Sequence, residues 1–168
     1  MDIFELIKTR RSIRKFTDEP VSDELIAKII EAGTWAPSGL NNQPWKFAVI
    51  RDEELKTKIS TLTRYSKIIL NANLLIAVFL DNSLSYDRTK DCQAIGACIQ
   101  NMLLAVHSMG LGAVWLGEIL KNKDKVLQLL GGGTQDFELM AVIALGHPAG
   151  NGGKGMRKDS AQTIIFRK

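Results

Sequence analysis

Near the start of the chain, three arginines and one hydroxyl fall within five residues, Arg10-Arg11-Ser12-Ile13-Arg14. A guanidinium offers a rigid fork of N–H donors that matches the oxygens of a phosphate, and a serine hydroxyl adds one more, so this run can converge on a small anion. A basic run of this length serves equally as a solvated face or a weak nucleic-acid patch. It lacks the interleaved aromatic residues that follow a single strand of nucleic acid. A second constellation follows, Ala36-Pro37-Ser38-Gly39-Leu40-Asn41-Asn42-Gln43-Pro44-Trp45. Its backbone amides, two asparagines and one glutamine are the donors and acceptors needed to read the edge of a flat heterocycle. Taken alone, the same asparagines could do no more than satisfy the backbone of a turn.

Other chemistry has little support. Cys92 and Cys98 stand six apart in what reads as a helix, pointing in different directions, so they are expected to remain reduced packing residues. His107 and His147 have no Cys or carboxylate neighbours at metal-ligand spacing, and no metal is expected. Gly150-Asn151-Gly152-Gly153-Lys154-Gly155 fits the spacing G-x-G-x-x-G, but it follows Pro148 and opens no helix. It reads as a flexible loop, not a dinucleotide site.

The elements that must position these residues can be read from caps and periodicity. With 168 residues, 45% of them apolar, the chain suits one domain over residues 1–168 with a single core. Asp2 and Glu5 form a capping-box pattern for a short helix ending near Arg10, followed by an extended stretch to Phe16. Ser22 caps a helix running to about Glu31, and two prolines, a glycine and two asparagines make 35–44 a loop. Strands are expected at 45–50, 74–80, 113–116, 139–145 and 162–166, the second of them central. Helices are expected at 52–62, 87–109 and 123–130, and 146–155 is a Gly-rich loop. The longest helix carries Ala94, Ala97, Cys98, Asn101 and Ala105 on one stripe, suiting close approach of another helix, within one chain or at a subunit contact. The order fits a mixed sheet covered by helices.

The net charge of +4, spread among 18 acidic residues, argues for no polymer partner, nucleic acid included. No apolar stretch is long enough to span a bilayer, and a start containing Asp2 and Glu5 does not look like a secretory leader. A soluble, unprocessed, cytoplasmic protein is expected.

In combination, the Arg10-to-Phe16 run and the loop at 36–45 resemble the nitroreductase family of FMN-dependent enzymes. A weaker likeness continues through Gly110-Leu111-Gly112-Ala113-Val114-Trp115-Leu116-Gly117 to the basic residues around Arg157, and positions 50–90 contribute little. The resemblance implies an α+β fold, with a mixed, largely antiparallel central sheet flanked by helices, seen as an intertwined homodimer with two FMN sites built from both subunits. It implies ping-pong hydride transfer from NAD(P)H, through flavin N5, to an acceptor such as a nitroaromatic or a quinone. Reductive dehalogenation and flavin destruction are other reactions of the same superfamily, and a basic polyanion-binding module is the alternative outside it. By position, Arg10, Arg11, Ser12 and Arg14 would hold the phosphate and the pyrimidine side of the flavin, with Arg14 the candidate for stabilising charge on the ring. Pro37, Ser38, Gly39, Leu40 and Asn41 would reach the ring and ribityl chain from the other subunit. Trp115, Leu116 and Gly117 would lie against the ring, and Arg157, or else Lys154 or Lys158, would close on the phosphate. NAD(P)H would bind transiently over the flavin, and no side chain is expected to act as a catalytic nucleophile.

Overall fold

The computed structural model describes residues 2–167. Its organising element is β2 (Leu74–Asp81), buried along its whole length because strands flank it on both sides and helices cover both faces. β1 (Trp45–Ile50) pairs with it from Trp45↔Leu80 to Ile50↔Leu75. On the other side lies β4 (Phe137–Gly146), in register from Leu74↔Leu145 to Asp81↔Phe137 with a shift between Val78 and Phe79. β3 (Gly112–Leu116) completes the sheet against β4, in the order β1-β2-β4-β3, with all three pairings antiparallel. A parallel rung enters only as an isolated bridge from Ser12 to Ala113, outside the named strands.

The two-residue period of β2 divides the interior. Leu74, Ile76, Val78 and Leu80 face a core shared with α2 (Asp23–Thr34) and α5 (Arg88–Ser108), whereas Leu75, Ala77 and Phe79 face a second core. The second core is closed by α3 (Glu53–Ser60), α4 (Ser66–Asn71) and α6 (Lys123–Leu129). The domain therefore has two cores, one on each face of the sheet, where the sequence suggested one. α1 (Ile3–Thr9) lies outside both and buries no residue.

The small-residue stripe of α5 packs within the chain. Ala94 and Cys98 are buried against α2 and the sheet, and a Cβ on Gly33 of α2 would meet Met102 Cγ at 2.8 Å and Cys98 Sγ at 3.0 Å. That close approach leaves Gln93, Gln100 and Ser108 on the outward side of α5.

The strand expected at 162–166 does not form. A 3-10 turn occupies Ser160–Thr163 instead, and Ile165 and Phe166 stand exposed beyond it. A strand needs a ladder partner, and among the described residues no strand pairs with that segment. α4 was not foreseen, being too short for a helical period to show. No helix among the described residues is long and apolar enough to cross a membrane.

Burial pushes the Cys98 thiol up to about 12, so it carries almost no thiolate at ordinary pH. In the native protein at pH 8, Cys98 should stay unlabelled by a thiol-disulfide reagent and react only on unfolding in urea. Rapid native labelling of Cys98, located by peptide mapping, would contradict the α2–α5 packing.

Candidate cofactor site

The arginine run begins where α1 ends. Asp2 caps that helix by accepting from Glu5 N at 2.9 Å, and Arg10 leaves it with extended backbone at φ −56, ψ 131. The following residues fill the gap between β3 and the chain leaving β4. Ile13 N donates to Ala113 O at 2.9 Å, Thr17 N to His147 O at 2.9 Å, and Ala149 N to Lys15 O at 3.0 Å. Gly112 permits this fit, since a Cβ there would lie 2.8 Å from Ile13 Cβ.

Stitched in this way, the run presents cations to one side. Arg10, Arg11 and Arg157 line a cleft of about 430 Å³ together with Ile7, Lys8, Gln100 and Gly155. Burial, then the nearby charges of Arg157 and Arg11, lowers the pKa of Arg10 from its ordinary value. Among the described residues, no carboxylate forms an ion pair with Arg10, Arg11, Arg14, Lys154, Arg157 or Lys158. Of the three late cations, Arg157 is the one that lines this cleft. Arg14 and Ser12 instead border a smaller neighbouring depression of about 210 Å³, beside Gly150, Asn151 and Gly152.

The late Gly-rich loop has a steric purpose here. A Cβ on Gly152 would sit 2.3 Å from Arg11 Cβ, and one on Gly155 would sit 2.4 Å from Arg11 Cζ. The glycines let the loop close over the arginine, whose Nη1 donates to Lys8 O at 2.6 Å and Arg10 O at 2.8 Å. Part of the Arg11 donor capacity is therefore spent on the backbone.

The loop at 36–45 is anchored by buried Ala36 and Trp45. Ser38 Oγ accepts from Gln43 N at 3.0 Å, closing the loop on itself around a 3-10 turn at Gly39–Asn41. Leu40, Asn41 and Gln43 have φ of 53, 54 and 46, the left-handed region that side chains rarely adopt. Leu40 is also 86% exposed. Asn42, read from sequence as a possible contact to a heterocycle, is committed internally, donating to Leu84 O at 2.9 Å and Asp91 Oδ1 at 2.8 Å.

Pro37, Ser38 and Gly39 line a second cleft, of about 310 Å³, with Lys90, Gln93, Ala94 and Ala97 of α5. It shares no lining residue with the arginine cleft. Gln93 and Gln100, one in each cleft, are seven residues apart on α5, roughly 10 Å at the helical rise. Within one chain the two constellations do not meet.

On β3, Trp115 is 42% exposed and shares the α5 side of the sheet with Ala113, whereas Leu116 is buried in the opposite core. Trp115 can offer a side chain to a ligand and Gly117 its backbone, but the Leu116 side chain is not available. Glu118, unnoticed in the sequence, fixes the end of this strand. Its carboxylate accepts from Lys121, from Thr63 Oγ1 at 2.6 Å and from Arg64 N at 3.2 Å, and these bonds hold its pKa down at about 2. A depressed carboxyl stabilises the fold above its ordinary pKa and loses that effect as pH falls toward the folded value. Glu118→Gln should therefore lower Tm at neutral pH, with the deficit shrinking as pH drops from about 4.5 to about 2. A deficit independent of pH in thermal melts would contradict the assignment.

Known proteins share this fold. The model of the nitroreductase family matches residues 7–73 and 61–147. The FMN complex of a protein assigned as a nitroreductase from Desulfovibrio desulfuricans superposes with a TM-score of 0.96 and 46% identity, over 100% of this chain and 98% of that one. A protein provisionally named NADH dehydrogenase/NAD(P)H nitroreductase from Methanothermobacter thermautotrophicus is 40% identical, over 91% of this chain and 81% of its own. The NADPH:FMN oxidoreductase of Vibrio harveyi, solved in complex with NAD+, gives a TM-score of 0.87 at 26% identity, over 98% of this chain and 76% of that one. With the arginine run and the Asn-rich loop both inside the matched region, the chain belongs to the nitroreductase family.

Proposed function

We propose that this chain is a single-domain FMN-dependent oxidoreductase, passing reducing equivalents from NAD(P)H to an electron-poor acceptor such as a nitroaromatic or a quinone. The observation that carries the reading is the cleft lined by Arg10, Arg11 and Arg157, where burial and the charges of Arg157 and Arg11 disfavour the Arg10 cation and, among the described residues, no carboxylate pairs with the three. A phosphate group fits that donor set. It would turn the repulsion into charge-assisted hydrogen bonds, which is the chemistry such a cluster lacks on its own. The redox step, accepting hydride from NAD(P)H and delivering it to the acceptor, is what a bound FMN supplies.

The chain's own residues then bind and orient. Arg10, Arg11 and Arg157 hold the phosphate. Ser12 and Arg14, in the adjoining depression, face the pyrimidine side, where the Arg14 charge favours negative charge on the ring. Trp115 and the Gly117 backbone flank the isoalloxazine from the β3 edge, and the Leu116 contribution is through its main chain. Pro37, Ser38, Gly39, Leu40 and Asn41 come from a second copy of the chain.

A homodimer with FMN at its interface is part of this proposal. It is supported by the separation of the two clefts, and by apolar residues that one chain leaves in water: Phe4 of α1, Trp35 after α2, Leu40, and Phe166 at the end of the tail. Exposed apolar residues on this scale call for a covering surface. β1 offers an open sheet edge, so the tail at 162–166 of one chain can find in another the ladder partner it lacks at home. A cytoplasmic setting agrees with the two free thiols.

Arg10→Ala and Arg157→Ala should each weaken FMN binding by about 10- to 150-fold, from charge-assisted bonds worth about 1.5–3 kcal/mol. Titration by flavin fluorescence reads this directly. Unchanged FMN affinity in both variants, with steep salt-dependent loss of polyanion binding, would favour the basic interaction module instead.

A further inference from the structure

Asp91 is a charged residue at a core position. It opens a stripe of α5 continued by Ala94, Ile95 and Cys98, and it is fully buried. Four donors surround it. Oδ1 accepts from Asn42 Nδ2 at 2.8 Å, and Oδ2 accepts from Ser85 Oγ at 2.7 Å, Tyr86 N at 3.1 Å and Asp87 N at 3.2 Å. Burial alone would raise this carboxyl, but the hydrogen bonds outweigh it and hold the pKa below the ordinary value.

The Asn42 amide has no choice of orientation. Its two polar neighbours, Leu84 O and Asp91 Oδ1, are both acceptors, so the NH2 group must face them and Oδ1 is left buried without a partner. Directly beside it in sequence stand the left-handed residues Leu40, Asn41 and Gln43. Such backbone persists only where its surroundings over-determine it. The segment held by Asp91 supplies a second restraint, because a Cβ on Gly39 would fall 1.7 Å from Tyr86 Oη. Residues 84–87 thus brace the loop at Gly39 and at Asn42, and Asp91 binds both the brace and the asparagine.

We propose that Asp91 is the positioning residue of the cofactor loop, acting through Asn42 and residues 85–87 to keep residues 38–41 in the shape that receives the flavin of a second subunit. This rests on the FMN reading above. The loop is then preorganised, and binding need not bear the cost of ordering it.

The test is a double-mutant cycle on FMN affinity with Asp91→Asn, Asn42→Ala and the pair, alongside the parent chain. Asp91→Asn keeps the shape but turns an N–H group toward a donor, whereas Asn42→Ala cuts the link and leaves Asp91 three donors. Each single variant should remain a folded dimer by far-UV circular dichroism and sedimentation, bind FMN about tenfold more weakly, and alter the visible circular dichroism of the bound flavin. The pair should be no weaker than the worse single variant, because both changes break one contact. Asn42→Ala alone decides the matter if Asp91→Asn does not fold. Parental FMN affinity in a folded variant, or losses that multiply in the pair, would overturn the positioning role while the FMN reading stands. A parent chain that binds no FMN would overturn both.

Discussion

Guanidinium groups gathered without a counter-charge are the feature on which the rest of this molecule turns. Arg10, Arg11 and Arg157 repel one another, and burial of Arg10 adds to the cost. The fold keeps them together through backbone hydrogen bonds and sterics, not through attraction between side chains. The run is laced to Ala113 on one side and to the chain leaving β4 on the other, and glycines at 112, 152 and 155 remove the side chains that would push these segments apart. A cluster held together against its own electrostatics is one that a bound anion would stabilise.

The second half of the site is strained in a different way. Leu40 and Asn41 hold left-handed backbone at the surface of the chain, and their support lies beneath them in Asn42, residues 84–87 and Asp91. α5 runs past both halves, yet within one chain they line separate clefts that share no residue. Symmetry removes the difficulty. In the proposed two-fold dimer the arginine cleft of each copy would meet the loop of the other, and the same operation would cover exposed apolar residues of α1 and the tail.

Much of this was legible in the sequence. Caps at Asp2 and Ser22, together with the apolar run of β2, located most elements to within a few residues. The arginine run and the Asn-rich loop were visible as residue types at fixed positions, because their chemistry is local. What was hidden depends on contacts distant in sequence. The internal role of Asn42 requires Asp91, 49 residues away, and the anchoring of Glu118 requires Thr63, 55 residues away. Only the presence of a carboxylate on the core stripe of α5 could have drawn attention to Asp91. The G-x-G-x-x-G spacing lies in a loop that opens no helix, and its steric role against Arg11 could not be read without the fold. The segment at 162–166 has the composition of a strand and no partner in its own chain, so a reading confined to one chain had to misplace it.

The central claim is that each cofactor site takes its cations from one chain and its loop from another. Mixed dimers test it directly. One chain carries Arg10→Ala with Arg157→Ala, the other carries Asn42→Ala with Asp91→Asn, and in each homodimer every site should bind FMN more weakly than in the parent chain, about tenfold where the loop is altered. When the two are co-expressed and the heterodimer is isolated by differential tags, a site built across the interface leaves one of its two sites with both halves intact. The account predicts one tightly held FMN per heterodimer. A heterodimer with no site of parental affinity would contradict it, because a site contained within a single chain would be damaged in both partners.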